Sequence, residues 1–206
     1  MALVAAVVFS VASPAIAATF TFEGLADNAA VPSAFYAGQG ISAISGANSF
    51  IASASGGSVP FANMPSPTTA ILADSVGAIF NVPGGFTSSA TVLYAANGSF
   101  NTVQVFEGLN GTGTLLGSST TLADNMSNCN SGANPGDPGC WTLRTVTWAG
   151  TAQSIKLPGF ASTFYYDNLT LNINEVTGVP EPASIATVAI GLLSGLVWRR
   201  LLRCKQ

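Results

Sequence analysis

The 206-residue sequence contains no histidine, and only 7% of its residues are charged. Without histidine, neither a Ser-His-Asp triad nor a Cys-His pair can form within this chain. A zinc site is also disfavoured, because the usual set of cysteine and histidine ligands cannot be completed. These absences exclude the commonest nucleophilic enzymes and the usual zinc sites.

Basic residues are scarce and unevenly placed. Of the six Lys and Arg residues, only Arg144 and Lys156 lie before residue 199, whereas all nine acidic residues do. Binding to nucleic acid requires clustered Lys and Arg to neutralise phosphates. We therefore expect no nucleic-acid partner for the main part of the chain.

Short stretches of alternating polarity recur along the chain and predict β-strands. They cover residues 19–23, 87–95, 101–107, 141–148, 154–157 and 167–173. Gly, Pro and Asn separate them, as in sandwiches and jelly rolls. Residues 38–67 are rich in Ser, Gly and Ala and predict loops with short edge strands, such as 49–52. The predicted fold is all-β, a sandwich or jelly-roll-like domain spanning residues 18–178.

Two of the three cysteines bracket a short loop rich in Gly and Pro, residues 129–140. A Cys129–Cys140 disulfide would restrict the unfolded chain and stabilise the fold by about 3 kcal/mol in the chain-entropy description. This pairing suits an oxidising compartment outside the cytoplasm.

The N-terminal residues predict export. Residues 2–12 are nearly all apolar, and Ala15-Ile16-Ala17 matches the small-residue pattern of a signal-peptide cleavage site. We expect residues 1–17 to be removed, although no Lys or Arg precedes the apolar stretch.

The C-terminal residues 179–206 combine three features: Val179-Pro180-Glu181-Pro182, an apolar run, and a basic end with Arg199, Arg200 and Arg203. As a helix, the apolar run would be roughly 27 Å long, close to the hydrocarbon thickness of a bilayer. Basic residues that flank a span stay on the cytoplasmic side, so the body would lie outside. The two prolines hold Glu181 in an extended, accessible segment.

This tail resembles the PEP-CTERM sorting domain of exported bacterial proteins, also catalogued as an ice-binding-protein C-terminal domain. The resemblance covers the final 28 residues and implies nothing about the body. It implies that an exosortase, a membrane transpeptidase or protease, recognises Pro180, Glu181 and Pro182 and processes the chain. The hosts of the family are typically Gram-negative bacteria that make exopolysaccharide.

Two acidic residues are candidates for a metal site. If the first and last strands pair, Glu23 and Asp167 approach each other, and oxygen ligands of this kind hold structural calcium in extracellular β-sandwiches. The arrangement loosely resembles that of carbohydrate-binding modules. The alternative is that both are solvated acids at strand ends. No pair of carboxylates is marked as catalytic, so we expect no enzymatic activity and no cofactor besides such a calcium ion.

Aromatic residues near the end of the body are candidates for sugar stacking: Trp141, Trp148, Tyr165 and Tyr166. Because Trp141 and Trp148 are an odd number of residues apart, they point to opposite faces of a strand, and one of them is expected in the core.

Together these features predict an exported protein, anchored transiently in the inner membrane with its body outside and then transferred to the cell surface or extracellular matrix. Its expected role is structural or adhesive, with exopolysaccharide as a partner. The alternatives are a calcium-stabilised carbohydrate-binding module and a secreted enzyme that acts on polysaccharide.

Overall fold

The computed structural model describes residues 15–98, 101–126, 140–159 and 164–174. Within these ranges the chain forms ten β-strands and three short 3₁₀ turns, which confirms the all-β prediction. The strands are β1 (Ala15–Phe20), β2 (Ala29–Ala30), β3 (Ala43–Ser45), β4 (Ala47–Ile51), β5 (Thr69–Ala73), β6 (Ala78–Ala96), β7 (Gln104–Phe106), β8 (Leu115–Ser118), β9 (Thr142–Leu157) and β10 (Phe164–Asn174). The 3₁₀ turns are Ala37–Gln39, Ser53–Ser55 and Leu109–Gly111.

The strands are hydrogen-bonded in the order β2-β4-β5-β10-β6-β9-β7-β8. In addition, β1 pairs with β10 and β3 pairs with β6. These pairings are all antiparallel. The first and last strands of the body are therefore neighbours, as the sequence predicted.

Two long strands, β6 and β9, divide the sheet into two portions and run through both. In the first portion, residues 78–81 of β6 pair with residues 154–157 of β9. In the second, β6 pairs with β9 and β10 from Phe86 onward. The register breaks between these portions, at Pro83, Gly84 and Gly85. A Cβ atom added at Gly85 would lie 2.3 Å from Thr151 Cγ2, and the backbone φ of Gly85 is +80°. Glycine is therefore needed at this position. The predicted strands at 87–95, 141–148 and 154–157 are thus segments of these two longer strands.

One hydrophobic cluster joins the two portions of the sheet. Phe80 and Ile155 come from the first portion, Tyr94 and Tyr166 from the second, and all four are at most 1% exposed. Since both portions contribute to one core, they face each other, as the layers of a sandwich do. On β10, Leu169, Leu171 and Ile173 point into this core, as their alternation predicted.

The segment predicted as loops contains more β-structure than its sequence indicates. The predicted edge strand at 49–52 is in fact β4, which pairs on both sides, with β2 and with β5. The prediction missed β5 because Ala70, Ile71 and Ala73 are all fully buried, so its residues do not alternate between apolar and polar.

The N-terminal strand begins before the predicted signal-peptide cleavage site. Ala15, Ile16 and Ala17 pair with β10, but all three are exposed. Cleavage after Ala17 would keep the pairing of Phe20, which is fully buried. The cleavage itself remains a prediction.

Several predicted features fall outside the described residues. They include most of the signal peptide, Cys129 and the whole tail with Val179, Pro180, Glu181, Pro182, Arg199, Arg200 and Arg203. Cys140 is disulfide-bonded, but its pairing with Cys129 remains a prediction. In the part of the chain that is described, no helix is long and apolar enough to span a bilayer.

The core can be tested with two leucines that differ mainly in burial. Leu169 is fully buried, whereas Leu143 is 57% exposed. We expect Leu169→Ala to lower the free energy of unfolding by about 2–5 kcal/mol, because it removes buried apolar surface and leaves a cavity. Leu143→Ala should change it by less than about 0.5 kcal/mol. Denaturant unfolding measures both, and equal effects would contradict this assignment of the core.

Candidate functional site

Glu23 and Asp167 lie where β1 and β5 meet on the same edge of β10. β1 pairs with residues 169–174 of β10, and β5 pairs with residues 165–166. Asp167 and Asn168 lie between these two pairings, at a register shift of β10. Glu23 follows the end of β1, so the topology brings both predicted acids to one place.

Unusual backbone conformations flank both acids. Phe22, next to Glu23, has a φ of 61°, and Asn168, next to Asp167, has a φ of 50°. A positive φ is rare for a bulky aromatic residue and costs free energy. The Phe22 amide donates a hydrogen bond of 2.7 Å to the Tyr36 hydroxyl, and the Phe22 ring is fully buried. These contacts hold the chain in the turn that directs Glu23 towards β5.

The hydroxyl of Ser66 joins the two acids. Its Oγ lies 2.7 Å from Asp167 Oδ2 and 2.9 Å from Glu23 Oε1. It also lies 3.1 Å from the carbonyl oxygen of Thr69 and 3.2 Å from that of Thr21. We call these five oxygen-bearing residues the Ser66 cluster.

The Ser66 cluster contains more hydrogen-bond acceptors than its hydroxyl can satisfy. A serine hydroxyl has one proton to donate. When both acids are ionised, the Ser66 hydroxyl is surrounded by four oxygen atoms that carry no proton. At most one of the four is therefore satisfied by Ser66 Oγ. A cation, or a proton on Asp167, would reduce this excess of acceptor oxygen atoms.

Nearby amides and hydroxyls partly compensate both carboxylates. Glu23 Oε1 accepts hydrogen bonds from the amides of Thr68 at 3.0 Å and Thr69 at 2.9 Å. Glu23 Oε2 accepts one from Thr68 Oγ1 at 2.6 Å. Asp167 accepts one from the Ser66 amide at 2.9 Å and one from the Asn168 amide at 2.7 Å. The two acids thereby fasten residues 66–69 to β1 and β10.

The two acids differ in their proton affinity. Burial raises the pKa of Asp167 to about 6, and the negative charge of Glu23 adds to this, although hydrogen bonds from Ser66 and Asn168 oppose it. Burial also acts to raise the pKa of Glu23, but hydrogen bonds from Thr68, Thr69 and Ser66 outweigh it and the pKa is lowered. Glu23 is therefore ionised at neutral pH, and Asp167 is the residue whose charge an added cation would stabilise most.

The alternative that both residues are solvated surface acids is wrong. Asp167 is fully buried and Glu23 is partly buried. The burial of Asp167 also prevents this pair from acting as the two carboxylates of a glycosidase, because no sugar can reach it.

The donor atoms of the Ser66 cluster suit calcium. Ca²⁺ prefers oxygen ligands from carboxylates and carbonyls, and the cluster offers two carboxylates, two carbonyls and a hydroxyl. Among the described residues, no group of three or more His, Cys, Asp or Glu side chains is assembled. A calcium ion here would therefore depend on carbonyl and water ligands in addition to the two acids.

Two of the four aromatic candidates for sugar stacking belong to the main core. Tyr166 is fully buried, and its hydroxyl donates a hydrogen bond of 2.6 Å to the carbonyl of Pro158. Trp148 is half-buried and packs on Phe86, with the ring centres 5.3 Å apart. As predicted, Trp148 and Trp141 lie on opposite faces, and Trp148 is the one that packs on the core.

The other two candidates form a smaller cluster on the outer face of the sheet. The ring of Phe61 lies 5.0 Å from that of Tyr165 and 5.9 Å from that of Trp141. The indole nitrogen of Trp141 donates a hydrogen bond of 3.2 Å to the carbonyl of Ala62. Both residues remain partly exposed, but these contacts show that they pack against residues 61–62.

Sequence reasoning missed a row of threonines across four adjacent strands. In strand register, Thr19 of β1 pairs with Thr170 of β10, Thr170 with Thr91 of β6, and Thr91 with Thr145 of β9. The hydroxyls of Thr19 and Thr170 are 2.8 Å apart. We call these four residues the threonine row.

The threonine row faces solvent rather than the core. On β10 the neighbours of Thr170, Leu169 and Leu171, are fully buried, so Thr170 points outward. The next row along the strands carries Asn172, Ser89 and Thr147, and Asn172 donates a hydrogen bond of 3.3 Å to Ser89. Both rows lack charged side chains, so the face is neutral and lined with hydroxyls and amides. Each threonine was recognisable as an outward residue, but nothing in the sequence showed that the four lie in register.

No protein-family model and no curated protein matches the sequence. Among solved structures, the chain is similar to a β-1,3-glucan-binding CBM6 from Bacillus halodurans, with 17% identity, coverage of 64% of this chain and 89% of that chain, and a TM-score of 0.39. It is also similar to the K2 cleaved adhesin domain of Lys-gingipain, with 16% identity, coverage of 76% and 98%, and a TM-score of 0.43. A third is the carbohydrate-binding module CBM6cm-2 from Cellvibrio mixtus lichenase 5A in complex with cellotriose, with 15% identity, coverage of 71% and 98%, and a TM-score of 0.33. At these levels of similarity the structures identify neither a family nor a ligand for this chain.

Proposed function

We propose that this chain is an exported protein whose β-domain is stabilised by calcium and attaches to extracellular polysaccharide. The observation that carries the calcium part is the excess of oxygen atoms around Ser66 Oγ. A Ca²⁺ ion bound by Glu23, Asp167 and the neighbouring carbonyls would neutralise two acids in a body with only two basic residues. It would also fasten β1 and the start of β5 to β10.

The threonine row supports attachment to polysaccharide. Strands lie about 4.8 Å apart, so the row presents hydroxyls at regular short intervals. Each threonine hydroxyl can donate and accept a hydrogen bond, which suits sugar hydroxyls, and each methyl group can contact an apolar ring edge. The absence of charge on the two rows favours a neutral surface such as a glucan chain. No group in this face acts as a nucleophile or a general acid, so the proposed role is binding without catalysis.

The tail supplies the proposed route to the outside. Pro180-Glu181-Pro182, the apolar run and Arg199-Arg200 support recognition by an exosortase after export. The catalytic groups would belong to that enzyme, and this chain would be its substrate. The predicted disulfide at Cys129 and Cys140 agrees with an oxidising destination.

Calcium should stabilise the protein measurably. At about 10 mM Ca²⁺, an extracellular site that binds with a dissociation constant of about 0.1 mM should raise the melting temperature by roughly 5–10 °C relative to chelator. Asp167→Asn and Glu23→Gln should abolish this rise, because each removes one of the two negative ligands. Scanning calorimetry of the full chain measures the shift, and titration calorimetry measures binding directly.

Asp74→Asn is the matched control for these variants. The Asp74 carboxylate also accepts hydrogen bonds from backbone amides, those of Val76 and Gly77, but lies outside the Ser66 cluster. This variant should keep the full response to calcium. If the wild-type protein shows neither a melting shift nor heat of binding, the calcium proposal is wrong and the cluster is a hydrogen-bonded clamp only.

The threonine row can be tested by removing its hydroxyls while keeping its shape. The triple variant Thr91→Val, Thr145→Val, Thr170→Val should reduce binding to insoluble neutral glucans by about tenfold or more, a loss of about 1.4 kcal/mol. Sedimentation of the full chain with the polysaccharide measures the bound fraction. Thr114→Val, at an exposed turn away from the row, should bind as the wild type does. Unchanged binding by the triple variant would remove this face from the proposal.

Sorting can be tested in the host at Glu181. Glu181→Ala should prevent processing, so the tail should remain in the mature protein and the protein should stay in the membrane fraction. Glu175→Ala, an acid six residues upstream, should be processed normally. Mass spectrometry of the mature chain and cell fractionation provide the readout. An intact tail in the wild-type protein would show that the tail is only an anchor.

A further inference from the structure

We infer that the protein has a second binding site, a pocket at Lys156 that takes a carboxylate-bearing sugar residue of an acidic polysaccharide. The pocket has a volume of about 340 Å³ and lies between the β5–β6 turn, the segment before β7 and the end of β9. This volume is near the lower end of the range for small-molecule sites. The inference rests on the proposed attachment to polysaccharide and names a ligand class for a different part of the molecule.

Lys156 and Gln104 form one side of this Lys156 pocket. In strand register, Lys156 of β9 lies directly beside Gln104 of β7. Ile155 and Leu157 are fully buried, so Lys156 points away from the core. A Cβ atom at Gly77 would lie 3.0 Å from Lys156 Cε, which shows that the lysine side chain passes close over the β5–β6 turn. Lys156 also lines the pocket, so its side chain borders the space between the turn and β7.

The charge of Lys156 is available for an anion. The only other basic residue before residue 199 is Arg144, whose guanidinium donates hydrogen bonds to Thr120 and Tyr94. No acidic residue lines the pocket, and no ion pair with Lys156 forms among the described residues. In an otherwise acidic body, this pocket is thus a local positive site that would attract a carboxylate.

The other polar groups of the pocket suit the hydroxyls of a sugar. Ser75, Asn101, Thr102 and Gln104 line it, and their side chains make no hydrogen bonds with other described residues. Two amides and two hydroxyls are therefore free to donate and accept. Val76, which is 66% exposed, adds an apolar surface for the edge of a ring.

The walls of the pocket are held in place before any ligand binds. Asp74 Oδ1 accepts hydrogen bonds from the amides of Val76 at 2.8 Å and Gly77 at 2.9 Å, which fixes the β5–β6 turn. The Tyr166 hydroxyl fixes Pro158 at the end of β9. Ser119 and Val103 exchange two hydrogen bonds, which fixes the segment that precedes β7. A preformed site loses little conformational entropy when it binds.

This combination of groups distinguishes between ligand classes. A neutral sugar could accept hydrogen bonds from the ammonium group of Lys156 but would leave its charge without an anionic partner. Inorganic phosphate would use the ammonium group but would leave the amides and Val76 without contacts. A uronic acid residue has a carboxylate, several hydroxyls and an apolar ring edge, so it matches all of these groups.

The test uses titration calorimetry of the full chain with short oligosaccharides of galacturonic acid, glucuronic acid and glucose, and with inorganic phosphate alone. We expect uronic acid oligosaccharides to bind more tightly than the others and to bind more weakly as salt is added. Lys156→Met, which keeps the aliphatic stem, should weaken uronate binding about tenfold or more. Thr102→Val should weaken it by a smaller factor, and Lys156→Arg should retain binding.

Each variant is compared with the wild type by its melting temperature, and Ser118→Ala, exposed on β8 outside the pocket, is the matched control. The inference is overturned if Lys156→Met and Thr102→Val both bind uronates as the wild type does, or if glucose oligosaccharides or phosphate bind as tightly as uronates. It is also overturned if no uronate binds. The triple threonine variant should keep uronate binding, so failure of this site and failure of the threonine row are distinguishable.

Discussion

The body of this protein depends on how two negative charges are held at one serine hydroxyl. Glu23 and Asp167 both contact Ser66, and the body contains only two basic residues to oppose its acids. Like charges this close, one of them fully buried, destabilise a fold unless donors or a cation compensate them. The amides of residues 66–69 provide part of that compensation. The same contacts join β1 and β5 to β10. The hydrogen bonds that compensate the two charges therefore also hold these strands beside one another.

Much of the fold was predictable because alternation reports which residues point inward. Leu169, Leu171 and Ile173 are buried as predicted, and Val103 and Val105, two residues apart in the predicted strand at 101–107, are both buried. Alternation does not report how far a strand continues through a bend. The predicted strand began at residue 87, after the proline and glycines at 83–85, yet β6 passes through them, because its two ends pair with different portions of the sheet. Strand β5 was missed because a strand buried on both faces shows no alternation.

The candidate sites also include features that the sequence predicted and features that it did not. The approach of Glu23 to Asp167 followed from the pairing of the terminal strands, which is a common property of sandwiches. Ser66 was not predictable, because it lies in a stretch of Ser, Gly and Ala without periodicity, and its role depends on contacts with residues 43 and 101 positions away. The threonine row and the Lys156 pocket depend on register between strands that are distant in sequence, and a single sequence does not contain that information.

The Ser66 cluster and the threonine row are mechanically linked because they share two strands. Thr19 lies four residues before Glu23, and Thr170 lies three residues after Asp167. Strand β1 pairs only with β10 among the described strands, so the contacts of Glu23 and Ser66 add to this pairing and to the buried Phe20 in holding the end of β1 in place. Weakening the cluster would therefore loosen the end of β1 and, with it, the position of Thr19 in the row. The Lys156 pocket is built from β7, the end of β9 and the β5–β6 turn, and its walls have their own hydrogen bonds. If the Ser66 cluster holds the proposed Ca²⁺, chelation should affect the threonine row more than the pocket.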